Sequence, residues 1–232
     1  MRTSTVRPAI STATRKGSFQ GWLVRQFGHP SGFWGHVAGW IMARRPSNRR
    51  RNAWTVDLLN LQPGERVLEI GCGPGLALSR AAARVGDQGF VAGIDGSDVM
   101  VAQAARRNAA VLAEQRMELR VAGVEALPDL GGPFDAVLAV NTIGFWPDPL
   151  TRVRELHELL VPGGRMAITV QPRSKGATAE TSVRVGAQLQ SQLHDAGFTD
   201  VEGHTLELDP PAVCAIGTRA RLGTATVAPS YV

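Results

Sequence analysis

The chain has 232 residues, of which 44% are hydrophobic and 19% are charged, so it has enough apolar side chains for one large folded domain. It contains no apolar run near the roughly 18 residues that a membrane-spanning helix needs, which argues against an integral membrane protein. The only cysteines, Cys72 and Cys214, exclude a disulfide scaffold and a cysteine-built zinc site, and no metal is predicted.

The net charge of +5 is distributed unevenly along the chain. Residues 1–60 carry ten Lys or Arg and one acid, whereas residues 61–232 carry fifteen Lys or Arg and nineteen acids. A basic segment of this kind is typical of contact with nucleic acid or an anionic membrane surface, or is a tail without a partner. Because the N-terminus lacks the apolar stretch of a secretory signal, we predict a disordered basic tail over residues 1–17 and a cytoplasmic protein.

Residues 18–52 are predicted to be helical, because apolar side chains recur there at helical spacing. The first stripe comprises Phe19, Trp22, Leu23 and Phe27, and the second comprises Phe33, Trp34, Val37, Trp40 and Ile41. A further helix is predicted from about Ser47 to Leu61, where Pro63-Gly64 ends it.

From Arg66 onwards, short predicted strands alternate with predicted helices. The strands are Val67–Ile70, Phe90–Ile94, Glu118–Val121, Phe134–Val140, Arg165–Val170, Val201–Leu208 and Val213–Gly217. The helices are Leu76–Val85, Asp98–Ala113, Leu150–Leu160 and Ser182–Ala196. Repeated strand–helix units form a parallel sheet with helices on both faces, so we predict an α/β domain over residues 53–218, followed by a tail over residues 219–232.

A glycine-rich turn follows the first predicted strand, in the sequence Glu69-Ile70-Gly71-Cys72-Gly73-Pro74-Gly75. Open α/β sheets bind ligands at this place, and glycines let a ligand approach the backbone closely. The spacing is G-x-G-x-G, whereas the loop that cradles a pyrophosphate reads G-x-G-x-x-G. A carboxylate at Glu69 would repel a pyrophosphate but suits S-adenosylmethionine, which carries a sulfonium and an ammonium and no phosphate. The pattern therefore favours S-adenosylmethionine over a dinucleotide.

Asp95 ends the second predicted strand and is the second candidate for cofactor binding. A carboxylate in this position can accept hydrogen bonds from both hydroxyls of a ribose. The alternative is an ordinary N-cap of the following helix.

Five ordered motifs cover about residues 50–218: Glu69–Gly75, Asp95, Glu125-Ala126-Leu127-Pro128, Phe134-Asp135 and Leu160-Val161-Pro162-Gly163-Gly164. Together they resemble the S-adenosylmethionine-dependent methyltransferases with a seven-stranded Rossmann-like fold, in the ubiquinone/menaquinone-biosynthesis-like (methyltransferase type 11) subgroup. The resemblance implies a doubly wound sheet of strand order 3-2-1-4-5-7-6 with the last strand antiparallel. It also implies S-adenosyl-L-methionine as cofactor.

The chain departs from this subgroup at two positions near the adenine. An Asp that bonds the adenine amino group usually precedes E-A-L-P, but here the matching residue is Gly123, followed by Val124. The residue after the ribose acid is usually bulky, but here it is Gly96, which leaves Met100 or Val124 to pack on the adenine. The cofactor-binding residues implied are Glu69, Gly71, Cys72, Gly73, Gly75, Asp95, Gly96, Met100, Val124, Glu125 and Asn141.

The acceptor is expected to bind beyond the end of the fourth predicted strand. Asn141 is a candidate for orienting the cofactor or the acceptor, and Phe145 and Trp146 are candidates for the pocket wall. The alternative for both aromatic residues is simple core packing. The absence of an N-P-P-Y type motif at Asn141 argues against a nucleobase as acceptor.

The N-terminal helices are predicted to close the acceptor pocket, because no long insertion follows the fifth strand. Residues 18–52 would then form an apolar lid with Trp34 and Trp40 against the substrate, which favours an apolar or aromatic acceptor. If the acceptor must lose a proton, His29 and His36 are the candidate bases in this segment. Completion of the core by the same helices is the alternative.

The predicted function is methyl transfer to carbon, oxygen or nitrogen of a small molecule. The competing hypotheses are an NAD(P)-dependent oxidoreductase and a non-catalytic binding protein that acts through its basic segment. The densest cationic cluster comprises Arg44, Arg45, Arg49, Arg50 and Arg51. It is interpreted as a solvated helix face, with an anionic substrate, lipid headgroups and nucleic acid as alternatives.

Overall fold

The computed structural model describes residues 46–221. Its helices are α1 (Pro46–Leu58), α2 (Leu76–Val85), α3 (Asp98–Arg107), α4 (Ala109–Ala113), α5 (Pro149–Glu158) and α6 (Ala179–Asp195). Its strands are β1 (Arg66–Ile70), β2 (Phe90–Asp95), β3 (Met117–Val121), β4 (Phe134–Val140), β5 (Leu160–Val170), β6 (Thr199–Leu206) and β7 (Ala212–Thr218). The amphipathic segments predicted before residue 46 lie outside the described residues.

The seven strands form one sheet of order β3-β2-β1-β4-β5-β7-β6. The first five strands pair in parallel, and β7 is antiparallel to both β5 and β6. In the centre, Val67 of β1 lies opposite Val91 of β2 on one side and Ala136 of β4 on the other. The predicted fold class and strand order are therefore confirmed.

The central strands are buried on both faces, because successive side chains of a strand point to opposite sides of the sheet. Leu68 and Val137 belong to one hydrophobic cluster, whereas Val67, Ala136 and Leu138 belong to a second cluster. Successive residues of β1 and β4 thus contribute alternately to the two core layers. The uninterrupted apolar sequence of β4 follows from this double burial.

Helix α1 packs against the sheet through a polar contact. The hydroxyls of Thr55 and Thr169 lie 2.7 Å apart and both residues are fully buried. Val56, next in the helix, is 1% exposed and belongs to the same core layer as Val67 of β1. Because α1 begins at Pro46, residues 46–52 are part of the same helix that packs on the sheet. No helix within residues 46–221 is long and apolar enough to cross a membrane.

Most elements differ from their predicted bounds by one to three residues at an end, and two differ more. The single helix predicted from Asp98 to Ala113 is divided at Asn108, whose Nδ2 donates to the carbonyls of Ala104 and Gly75 at 2.9 and 3.3 Å. Strand β5 already begins at Leu160, which pairs with Phe134 of β4, and the predicted turn at Gly163-Gly164 exchanges two backbone hydrogen bonds with Arg219 at 2.8 Å each. Both differences arise from contacts with residues distant in the sequence.

Candidate functional site

The candidate site lies where the order of the strands reverses, at the carboxyl ends of β1, β2 and β4. The glycine-rich loop between β1 and α2 occupies this place, and Gly71, Gly73 and Gly75 all have positive φ angles of 70°, 51° and 75°. The amide of Cys72 donates to the carbonyl of Ile94 at 2.8 Å, which fastens the loop to β2. The Cys72 thiol is buried, and this burial raises its pKa well above the usual value.

Gly71 is required because Thr142 occupies the space beside it. A Cβ built on Gly71 would overlap Thr142 Cγ2 and lie 2.8 Å from Thr142 Cβ. Thr142 is held there by its hydroxyl, which donates to the carbonyl of Ile70 at 3.1 Å. Thr142 was not among the predicted site residues, because nothing in the local sequence indicates that this side chain contacts β1.

The Asp95 carboxylate organises the loop and the start of α3. Its Oδ2 accepts from the amide of Gly73 at 2.8 Å, and its Oδ1 accepts from the amide of Ser97 at 2.9 Å. The N-cap of α3 is Ser97, whose hydroxyl accepts from the amide of Met100. The alternative role of Asp95 as the N-cap of that helix is therefore excluded.

Glu69 does not face an open cleft. It is 1% exposed, and its carboxyl group accepts a hydrogen bond from the backbone of Leu78 in the first turn of α2. Because Gly75 at the N-cap has no side chain, this bond satisfies a helix N–H that would otherwise lack a partner. Burial raises the pKa of Glu69 well above its usual value, the Leu78 bond opposes that rise, and the charge of Asp95 adds to it. The Oε2 atom has no hydrogen-bond partner among residues 46–221.

Asn141 joins the ends of β4 and β5. Its backbone adopts a φ of 60°, its amide donates to the carbonyl of Thr169 at 2.7 Å, and its Oδ1 accepts from the amide of Gln171 at 2.7 Å. Because Oδ1 accepts from a backbone amide, the other end of the side-chain amide is the Nδ2 group, which has two N–H donors. This Nδ2 group forms no hydrogen bond with the described residues.

Arg51 was predicted to lie on a solvated helix face, but this arginine is buried. It is 3% exposed, its Nη1 donates to Gln171 Oε1 at 2.7 Å, and its Nη2 donates to Asn48 Oδ1 at 2.6 Å. Burial, and then the nearby charge of Arg173, lowers the pKa of Arg51 to about 10. Within residues 46–221 it forms no ion pair with an acid, and its Nε is buried without a partner.

The other candidates near the cofactor divide into exposed and buried residues. Gly96 and Glu125 are exposed, whereas Met100 and Val124 are only 2% and 5% exposed. Val124 is part of the hydrophobic core. Little of the Met100 or Val124 surface is therefore available to an adenine ring.

The two aromatic candidates after β4 also differ. Phe145 is 57% exposed, whereas Trp146 is 8% exposed and packs in the core. The predicted lid and base residues His29, Trp34, His36 and Trp40 lie outside the described residues.

A parallel sheet with a glycine loop after its first strand and an acid at the end of its second strand defines a nucleoside-binding Rossmann-like domain. A family model described as "Methyltransferase domain" matches residues 67–164. The chain is 33% identical to the uncharacterized methyltransferase YdaC of Bacillus subtilis (strain 168) over 180 residues. This alignment covers 77% of this chain and 96% of YdaC. The chain belongs to the S-adenosylmethionine-dependent methyltransferases with the seven-stranded Rossmann-like fold.

Two further comparisons agree with this family. The ubiquinone biosynthesis O-methyltransferase of Xanthomonas campestris pv. campestris (strain B100) is 38% identical over 136 residues, which are 58% of this chain and 54% of that relative. A crystal structure of a SAM-dependent methyltransferase from Aquifex aeolicus has a TM-score of 0.61 at 22% identity, over 78% of this chain and 98% of that chain. The cofactor of this enzyme is accordingly S-adenosylmethionine, and a nicotinamide oxidoreductase is not favoured.

Proposed function

We propose that this methyltransferase methylates an apolar or aromatic small molecule, with oxygen favoured over carbon or nitrogen as the acceptor atom. The observation that carries the proposal is the exposed phenyl ring of Phe145, four residues after Asn141 at the carboxyl end of β4. An exposed aromatic ring beside a polar cofactor site provides a surface for an apolar acceptor. The name of the Xanthomonas relative, an O-methyltransferase of ubiquinone biosynthesis, supports both the acceptor class and the atom.

The residues around the glycine loop fit the cofactor. The partly exposed Asp95 carboxylate would accept from the ribose hydroxyls, and the Nδ2 donors of Asn141, which bond to no residue of 46–221, suit a polar group of the methionyl part. Among residues 46–221, the buried Glu69 has one oxygen without a partner, which suits an indirect contact with the ammonium group through a water. We propose these three side chains and the loop Gly71–Gly75 as the cofactor-binding core.

Arg51 completes this site as the partner of the methionyl carboxylate. A buried guanidinium without an acid is costly, and a bound carboxylate removes much of that cost. Residues 1–45 contain no Asp or Glu side chain that could serve instead. Arg51 shares Gln171 with Asn141, since Gln171 accepts from Arg51 through Oε1 and donates to Asn141 through its backbone amide.

Methyl transfer requires positioning more than acid–base chemistry. The cofactor supplies an activated methyl group on a sulfonium, and attack must be in line with the bond that breaks. The protein residues would hold the acceptor in that line and exclude water, and orientation of this kind can contribute up to about 7–11 kcal/mol. We propose that residues 18–52 form the lid over the acceptor, with Trp34 and Trp40 against it and His29 or His36 available as the base.

A labelled-methyl assay tests the proposal. The protein is incubated with methyl-labelled S-adenosylmethionine and, in separate reactions, alkylated phenols, hydroquinones, RNA and denatured protein. We expect label in the organic extract of the phenol reactions and none in RNA. Label in RNA or protein, or no transfer despite tight binding of S-adenosylhomocysteine, would overturn the proposed acceptor class.

The contribution of Phe145 is tested by substitution with serine. We expect Phe145→Ser to raise the acceptor KM roughly tenfold, because an apolar ring contact contributes about 1.5 kcal/mol or more. Affinity for S-adenosylhomocysteine should not change. Val183→Ser removes another exposed apolar side chain, on α6, and serves as the matched control.

A further inference from the structure

A basic cavity of about 310 Å³ lies between α1 and α2. Three arginines from three helices line it: Arg49 of α1, Arg80 of α2 and Arg107 at the end of α3. Asn52 and Ser79 add an amide and a hydroxyl, and the remaining lining residues are apolar. The side chains proposed to bind the cofactor, all within residues 46–221, are not among the lining residues. The cavity is therefore a second candidate site.

The charges around this cavity are unbalanced. No Asp or Glu of residues 46–221 lines it, and Asp57 beside it shares one carboxylate between Arg80 and Arg84, at 2.6 and 2.7 Å. All twenty acidic side chains of the protein lie within residues 46–221, so the rest of the chain has none to place there. Together with Arg49 and Arg107, this group carries four positive charges and one negative charge. An anion in the cavity would reduce the repulsion among the arginines.

Two of the three guanidinium groups are fixed on one side. Arg80 donates from Nε and Nη2 to Asp57 Oδ1 at 3.1 and 2.7 Å, and Arg107 donates from Nε to the carbonyl of Pro74 at 2.8 Å. The Nη1 group of Arg80 and both Nη groups of Arg107 have no hydrogen-bond partner among residues 46–221. These groups are therefore oriented by the protein and keep N–H donors for a ligand.

We propose that this cavity binds a small phosphate ester through its phosphate group. A phosphate monoester carries a charge of roughly −1.5 to −2 at neutral pH and has three oxygens in tetrahedral directions. Guanidinium groups that come from three separate helices match this arrangement, whereas one bidentate arginine satisfies a planar carboxylate. The volume suits a small molecule, and Leu76 provides an apolar wall for its carbon part.

The proposal gives a role to part of the cationic cluster in the sequence. Arg51 of this cluster is buried, whereas Arg49 lines the cavity on another side of the same helix. Of the alternatives for the cluster, an anionic small molecule is therefore the one proposed for Arg49. The site is independent of the proposed acceptor and cofactor contacts.

Calorimetric titration of the full chain tests the proposal. Glycerol 3-phosphate is the probe, with and without saturating S-adenosylhomocysteine, and we expect a Kd of about 1 mM or lower in both conditions. Glycerate, which carries a carboxylate instead of a phosphate, should bind about tenfold more weakly. Equal affinity for glycerate, or displacement of the phosphate ester by S-adenosylhomocysteine, would overturn the proposal.

Two pairs of adjacent arginines provide matched variants. Arg107→Gln and Arg49→Gln remove lining charges, and each should raise the Kd of glycerol 3-phosphate about fivefold or more. Arg106→Gln and Arg50→Gln remove exposed charges that do not line the cavity, and each should raise it less than about twofold. Because the two lining arginines belong to different helices, a folding defect in one variant leaves the other as a test.

Three further results would contradict the proposed site. Equal weakening by all four variants would indicate a general attraction of anions to a basic surface. The absence of binding in the millimolar range would exclude a phosphate-ester site. Sedimentation of the protein with phosphatidic acid vesicles, without affinity for glycerol 3-phosphate, would indicate a lipid-binding surface instead.

Discussion

The carboxylate of Asp95 and the backbone amide of Gly73 are joined by a hydrogen bond of 2.8 Å between Oδ2 and N. The bond links the end of β2 to the middle of the glycine loop, 22 residues earlier. Asp95, which is proposed to bind the ribose, therefore also stabilises the conformation of the glycine loop. Loss of its carboxylate must affect binding and folding together.

We expect Asp95→Ala to abolish measurable binding of S-adenosylhomocysteine and to lower the free energy of unfolding by about 1–3 kcal/mol, because two backbone amides lose their acceptor. Calorimetry and urea denaturation measure the two effects. Asp129→Ala is the matched control, since Asp129 also accepts from an amide two residues later, that of Gly131, at 2.9 Å. Retention of wild-type affinity in Asp95→Ala would contradict the proposed ribose contact.

Gly71→Ala should lower the free energy of unfolding by about 2 kcal/mol or more, because a Cβ at φ +70° is strained and would displace Thr142. Binding of S-adenosylhomocysteine should weaken with it. Gly144→Ala provides the comparison, because a Cβ there would have no atom within 4 Å. Equal stability of the two variants would show that the contact with Thr142 does not constrain the loop.

The buried Glu69 makes stability depend on pH. Its pKa is raised in the folded protein above a usual value of 4.5, chiefly by burial, so the folded state binds more protons than the unfolded state above that pH. The contribution of Glu69 to the free energy of unfolding is therefore fully present below about pH 4.5 and is lost as the pH rises, by up to about 1.4 kcal/mol per pH unit.

Glu69→Gln tests this dependence, because glutamine keeps the shape without the titration. We expect the stability of the wild type minus that of the variant to fall as the pH rises above about 4.5 in urea denaturation. The exposed Glu180→Gln accounts for general charge effects. A difference that stays constant or rises with pH would be inconsistent with a raised pKa.

Arg51→Met should weaken binding of S-adenosylhomocysteine roughly tenfold or more, because a charge-assisted contact to its carboxylate is lost. Binding of 5′-methylthioadenosine, which lacks both carboxylate and ammonium, should change little. The exposed neighbour Arg50→Met is the control for loss of positive charge on α1. An equal loss for both nucleosides would indicate a structural role for Arg51 instead.

The order of the elements and their types could be predicted from local sequence. Helix α2 has the predicted bounds, Leu76–Val85, because a glycine at each end is a local signal. Strand β4 also has the predicted bounds, Phe134–Val140, because its apolar run is a local signal. The glycine loop and Asp95 were identified in the same way, since their spacing relative to the strands is local. Strand pairing order followed from the resemblance to a family.

Only the tertiary structure decided which of the polar residues are buried and what each one touches. Arg51 was indistinguishable in sequence from the exposed arginines beside it, and its burial depends on Gln171, 120 residues later. The partner of Gly71 is Thr142. Local sequence determines helix and strand preferences. Contacts between separate elements depend instead on how the sheet as a whole brings those elements together, and the candidate site consists of such contacts.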